Sequence, residues 1–258
     1  MKDIRTDHFD FPFRAAGKTD IGKKRQNNQD EVVSCTELGF FAVSDGMGGL
    51  EGGKLASEFV SKIMPGLMEI SASEFKDHGD VEKAADAFGR SVRMMSDNLY
   101  DTANTKKHIA YGATFAGVWL LKDKAIFCCL GDSRGYLLPK YKKTIRQITE
   151  DQNIAGILVK NGELTRSKAK HHPASSRLTA FVGMEPPATP EVFVVDVKPG
   201  DRILLCSDGL YGRTEENDIV HIMRGSRDPE RVCQGLVDLA NKNGGADNIS
   251  AVYVRIQK

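Results

Sequence analysis

Membrane-length apolar runs, a strong charge of either sign and paired cysteine motifs are all missing from this 258-residue chain. The longest weakly polar run, residues 111–121, is far too short to cross a bilayer. Lys and Arg number 36 against 35 Asp and Glu, a net charge of +1. No basic excess therefore points to nucleic acid or to an acidic membrane surface. The N-terminal MKDIRTDHFDF has none of the apolar core that a secretory signal needs. The five cysteines, Cys35, Cys128, Cys129, Cys206 and Cys233, lie mostly in apolar segments and form no CxxC pair. Buried free thiols in a reducing compartment are expected, with neither a zinc site nor a catalytic cysteine. A cytoplasmic protein with no nucleic-acid partner and no membrane insertion follows from these absences.

What is present is an ordinary globular balance, 40% hydrophobic and 28% charged, without repeats or low-complexity tracts. One domain over residues 1–258 has enough interior for a substantial core. Strands are predicted at 31–36 and 38–45, paired as a hairpin. Apolar positions at helical spacing predict helices over 51–70 and 81–102. Strands follow at about 111–121, 124–131, 134–139 and 143–148. Residues 151–180 turn polar, with a helix expected over TEDQNIAGILVKNGEL and an exposed segment over TRSKAKHHPASSR. Strands return at 191–197 and 202–207, then amphipathic segments at 215–224 and 228–242, and a final strand at 249–256. Clusters of strands and helices, not strict alternation, predict an α+β layered fold with antiparallel sheets.

The stretch FFAVSDGMGG, residues 40–49, runs an apolar strand into Asp45 and then into glycine. The pattern recurs. LLCSDGL places Asp208 after an apolar strand, FCCLGDSRG does the same with Asp132, and Asp30 and Asp247 each stand just before a strand. Five acids at strand ends are either five separate turns or the ligands of one shared metal site. Carboxylate oxygens suit hard cations such as Mg²⁺ and Mn²⁺. Like charges gathered at one sheet end would repel unless a cation neutralised them.

Seven segments in order, TDIGKKRQNNQD (19–30), VSDGMGG (43–49), GAT (112–114), GDSRGY (131–136), LTAFVG (178–183), CSDGLYG (206–212) and ADNIS (246–250), span most of the chain. Together they resemble the metal-dependent Ser/Thr protein phosphatases of the protein phosphatase 2C family, in their compact bacterial form. The resemblance implies a four-layer αββα sandwich, two antiparallel sheets flanked by helices, with residues 151–180 as a flap beside the active site. It implies hydrolysis of phosphoserine and phosphothreonine in proteins by a two-metal-activated water, without a phosphoenzyme. Asp45 resembles the acid shared by two Mn²⁺ or Mg²⁺ ions, and Gly46 the residue whose carbonyl serves the second. Asp208 and Asp247 resemble the other ligands of the first ion. Asp30 resembles the acid that holds metal-bound water, and Asp132 a ligand of a weaker third ion. Arg25 resembles the phosphate-binding arginine, whose planar fork suits phosphate oxygens. Phosphorylated proteins, substrates of a Ser/Thr kinase, are the implied partners of a monomeric enzyme.

Three positions depart from the family pattern. Gln29 stands where a Glu is usual and carries one charge less beside the second ion. Met47 replaces a His proposed as general acid in eukaryotic members, which leaves water or another group to protonate the leaving oxygen. Gly212 stands where many members have an acid, so Asp132 has less support for a third ion. Gln29 and Gly212 also feed one alternative, a weak or inactive relative acting as a sensor or binding module; a second, a phosphatase dedicated to one regulatory phosphoprotein, has no motif that marks it. His171 and His172 are expected to be solvated, Trp119 to be core, and Thr114 and Thr179 to be structural. Residues 1–14 carry no motif and form an extension, either mobile or packed.

Overall fold

The computed structural model describes residues 2–74, 80–105 and 111–258. The chain begins with strands β1 (Phe13–Asp20), β2 (Asp30–Cys35) and β3 (Phe40–Met47), then helices α1 (Gly49–Glu74) and α2 (Val81–Thr105). Strands β4 (Gly112–Ala113), β5 (Phe115–Leu121), β6 (Lys124–Leu130), β7 (Arg134–Leu138) and β8 (Arg146–Gln147) follow. Short helices α3 (Ile154–Lys160) and α4 (Arg166–Ala169) come next, then β9 (Glu191–Asp196) and β10 (Arg202–Cys206). Helices α5 (Asp208–Tyr211), α6 (Glu216–Gly225) and α7 (Pro229–Lys242) precede the last strand, β11 (Ile249–Ile256).

Two antiparallel sheets result. One runs β1-β11-β10-β7-β8, and the other β2-β3-β5-β6-β9, with β4 beside β3. Alternate residues of the central strands enter different layers, because successive side chains point to opposite faces. In β3, Phe40 and Ala42 face α1 and α2, while Phe41 and Val43 face the other sheet. In β11, Val252 and Val254 enter the layer between the sheets, and Ala251 and Tyr253 pack against α6 and α7. Three apolar layers thus hold a four-layer αββα sandwich, as the sequence implied. Strands buried on both faces read as continuous apolar runs, which is why the segments before Asp45 and Asp208 stand out.

Three elements differ from expectation. Strand β1 was not anticipated: FRAAGKTD has few β-branched residues, yet it pairs with β11 along all eight positions. The strand expected at 143–148 shrinks to Arg146–Gln147, since Lys142, Lys143 and Thr144 are exposed. Residues 151–180 hold two short helices and a 3-10 turn at Pro173–Ser176, and the segment is tethered: Ala169 is buried and Lys170 Nζ donates to the Thr214 carbonyl at 2.5 Å. The N-terminal extension packs. Ile4 and Phe13 exchange backbone hydrogen bonds of 2.8 and 2.9 Å. Phe9 meets Phe13 edge to face at 6.2 Å, and Phe13 meets Phe41 at 5.8 Å, an arrangement aromatic pairs favour.

Candidate active site

Antiparallel pairing fixes where the acids go. β2 and β3 run in register with Asp30 opposite Asp45, so the start of one strand meets the end of the other. β10 and β11 are likewise paired, with the Ser207 amide donating to the Ser250 carbonyl at 3.2 Å, which puts Asp208 and Asp247 at the same edge. β6 runs parallel to β3 with β5 between them, so Asp132, after Leu130 and Gly131, arrives at that edge too. A cleft of about 730 Å³ opens there, lined by Asp45, Asp132, Asp208, Asp247, Arg25 and Gln29, among others. Asp30 lies just below, 2% exposed.

Polar side chains from distant segments hold these acids. Ser207 Oγ donates to Asp30 Oδ2 at 2.7 Å and accepts the Ser250 amide at 3.0 Å. The Asp45 amide donates to Thr114 Oγ1 at 3.1 Å, and that hydroxyl lies 2.6 Å from Ser133 Oγ. Asp247 accepts from Arg25 at 2.7 Å and from the Asn248 amide at 2.8 Å. Asn248 in turn takes the Gln29 amide at 2.8 Å and donates to the carbonyls of Ile21 and Asn27. Behind Asp132, Tyr211 donates its hydroxyl to the Asp132 carbonyl at 3.1 Å, and Arg134 stacks on the Tyr211 ring at 3.6 Å. Arg134 also forks onto both carboxylate oxygens of Asp151 at 2.9 and 2.6 Å. Thr114 is structural as expected, and Trp119 is core. His171 is solvated, whereas His172 is half-buried and accepts the Ala174 amide on Nδ1.

The two Asp-Gly steps have a shared physical reason. Neither Gly46 nor Gly209 adopts a positive φ. A Cβ on Gly46 would overlap the Gly53 carbonyl of α1 and come within 2.7 Å of the Gln29 oxygen. A Cβ on Gly209 would overlap the Asn248 carbonyl. Each glycine lets a neighbouring backbone close against the acid that precedes it. Close approach of the α1 backbone is therefore what requires glycine at position 46. In the same neighbourhood Gln29 Nε2 donates to the Gly49 carbonyl at 2.6 Å, a bond no ionised carboxylate could make.

Electrostatics mark the acids as a group. Burial, opposed by hydrogen bonds from Ser207 and Ser250 and reinforced by Asp208 and Asp247, pushes Asp30 up to about 7. Burial and then Asp208 and Asp151 push Asp132 up to about 7. Burial and Asp247 raise Asp208 to about 6. Asp45 is raised well above the usual range by burial first, then by Asp30, Asp208, Asp132 and Asp247. Asp30 Oδ1 and Asp208 Oδ1 are buried with no hydrogen-bond partner. Unpaired carboxylate oxygens in mutual repulsion are what a divalent cation would satisfy, so the donor set fits one. Among the described residues, no three acidic, His or Cys side chains already close on a single point. An open set of oxygens leaves coordination positions for water and substrate phosphate, as Mg²⁺ sites commonly do. The thiols are inert by contrast: burial pushes Cys129, Cys206 and Cys233 up to about 12, and all five cysteines are free.

The layered αββα fold with an oxygen-rich cleft at its sheet ends is shared with the metal-dependent protein phosphatases. A family profile described as protein phosphatase 2C matches residues 17–244. The serine/threonine phosphatase stp of Listeria monocytogenes is 27% identical over 245 residues, which cover 92% of this chain and 93% of that protein. The serine/threonine phosphatase PstP/Ppp of Mycobacterium tuberculosis superposes with a TM-score of 0.81 at 28% identity, over 95% of this chain and 99% of that one. The catalytic domain of serine/threonine protein phosphatase PstP holding two manganese ions superposes with a TM-score of 0.78 at 26% identity, over 95% and 99%. The chain belongs to the protein phosphatase 2C family. It is a metal-dependent serine/threonine protein phosphatase. No helix of the described residues is long and apolar enough to cross a membrane.

Proposed function

We propose that the acidic edge of the sheet stack holds two divalent cations, Mn²⁺ or Mg²⁺, against a phosphoserine or phosphothreonine side chain of a protein substrate. The observation that carries this is the gathering of Asp30, Asp45, Asp132, Asp208 and Asp247 around one cleft with two buried oxygens unpaired. Asp45 would be shared between the ions, with Asp208 and Asp247 on the first and the Gly46 carbonyl on the second. Asp30 would act through water, and Asp132 would serve a weaker third ion. Bound divalent cations acidify water and neutralise charge on the phosphoryl group. The chain's own residues supply the rest. Ser207 keeps Asp30 in place and Thr114 fixes the Asp45 backbone. Arg25 stands half-exposed on the rim with one nitrogen on Asp247, and its remaining guanidinium donors would take phosphate oxygens. One domain over 1–258 carries this activity, with 151–180 as the flap beside it. Proteins phosphorylated by a Ser/Thr kinase are its substrates, and the enzyme works as a cytoplasmic monomer.

Calorimetric titration of Mn²⁺ and of Mg²⁺ into chelator-treated protein tests the ligand set. Two tight ions per chain are expected, with a weaker third at Asp132, and at least one tight ion is lost in Asp45→Asn and in Asp247→Asn. A single ion, or unchanged binding in both variants, would overturn it.

A further inference from the structure

The flap and the carboxylate cluster meet at one side chain. Asn153 is 2% exposed and caps α3, its Oδ1 accepting the Gly156 amide at 2.8 Å. Its Nδ2 donates to Asp132 Oδ2 at 3.1 Å. Both halves of the amide are thus committed, one to starting a flap helix and the other to orienting a cleft acid. The preceding residue stitches the same two segments: Gln152 Oε1 accepts the Gly131 amide at 2.8 Å, and the Gln152 amide donates to the Gly131 carbonyl at 3.0 Å. On the far side, the Ile154 amide donates to the Arg177 carbonyl at 3.0 Å and the Thr179 amide to the Gln152 carbonyl at 2.8 Å. Segment 152–154 is therefore fixed between the turn carrying Asp132 and the returning end of the flap.

We propose that Asn153 is a positioning residue that makes divalent-cation binding at Asp132 and docking of flap helix α3 a single coupled event. The inference rests on the cation reading of the acidic cluster given above. With Oδ2 held by Asn153, Asp132 presents Oδ1 in a fixed orientation, and no described residue donates to that oxygen. A cation that takes Asp132 in this orientation favours the docked Asn153, and a docked Asn153 favours the cation. By linkage the two effects are equal in size. A solely structural cap would hold α3 whether or not metal is bound.

Asn153→Ser separates the two halves, since a hydroxyl can still cap Gly156 but is too short to reach Asp132. Hydrogen exchange of residues 154–160 and Mn²⁺ calorimetry on the full chain are the readouts. In the parent protein, saturating Mn²⁺ slows exchange in α3 by about fivefold or more. In Asn153→Ser, metal-free exchange stays within about twofold of the parent and the Mn²⁺ effect disappears. The weakest Mn²⁺ affinity then falls about fivefold or more while the tightest is unchanged. Asn153→Ala loses the cap as well and exchanges fast in either condition; should it fail to fold, the serine variant carries the test alone. Mn²⁺ binding that leaves α3 exchange unchanged in the parent overturns the coupling, as does a serine variant that responds like the parent. Absence of any Mn²⁺ binding would instead overturn the cation reading itself.

Discussion

Ser207→Ala removes one oxygen from the interior and unpairs two partners at once. Ser207 is fully buried, and its hydroxyl lies 2.7 Å from Asp30 Oδ2 and 3.0 Å from the Ser250 amide. A hydrogen bond to a charged group contributes about 1.5–3 kcal/mol, and an amide left unpaired in the interior costs about 1–3 kcal/mol. Because the two losses share one site they do not add fully, and a total of about 2–4 kcal/mol is expected. For a chain of this size that is a fall in Tm of roughly 4–16 °C. The pH dependence is diagnostic. Asp30 titrates near 7 when folded against an ordinary carboxylate value near 4. Below about pH 6 the folded Asp30 is neutral and has little charge to lose a donor from. Above about pH 7 it is ionised and the missing donor is felt in full. Calorimetric melting in chelator should therefore show a larger deficit at pH 8 than at pH 5.5. Equal deficits at the two pH values, or a fall under about 1 °C at pH 8, would refute the reasoning.

Other outcomes follow from the same geometry. Gly46→Ala forces a methyl into the Gly53 carbonyl and should cost about 3 kcal/mol or more in urea unfolding; near-parental stability would show that α1 can shift freely. Arg134→Ala leaves the mostly buried Asp151 without its fork and should cost about 3 kcal/mol by the same measurement. Asp30, Asp132 and Asp208 are raised when folded, so the metal-free fold binds more protons than the unfolded chain between about pH 4 and 7. Its stability in chelator should decline as pH rises through that window, whereas the Tm gain from Mn²⁺ should grow. Arg25→Ala touches only an exposed ion pair, so melting should move by less than about 2 °C while KM for a phosphothreonine peptide rises roughly tenfold.

Much of this was legible along the chain because β3, β10 and β11 are buried on both faces. Their apolar runs marked the strands, and the acids that break those runs marked the cleft. The supporting residues were not legible. Ser207 matters through Asp30, 177 positions away, and Asn248 through Gln29, 219 away, partnerships no local pattern records. Asn153 read as part of a polar helix, and only its distance to Asp132 shows what its amide does. β1 escaped notice because its strand character comes from pairing with β11 and not from its own residues. The reason for Gly46 was also hidden, since the carbonyl that excludes a side chain arrives from α1.

Phosphate release from a phosphothreonine peptide, with and without Mn²⁺, for the parent protein and Asp208→Asn, probes the acidic cleft as the seat of catalysis. If Asp208 holds a cation as proposed, removing its charge should forfeit several kcal/mol of transition-state stabilisation. Hydrolysis should require added Mn²⁺, and Asp208→Asn should lower kcat/KM at least about 100-fold. Hydrolysis that persists in chelator, or equal rates for the two proteins, would contradict it.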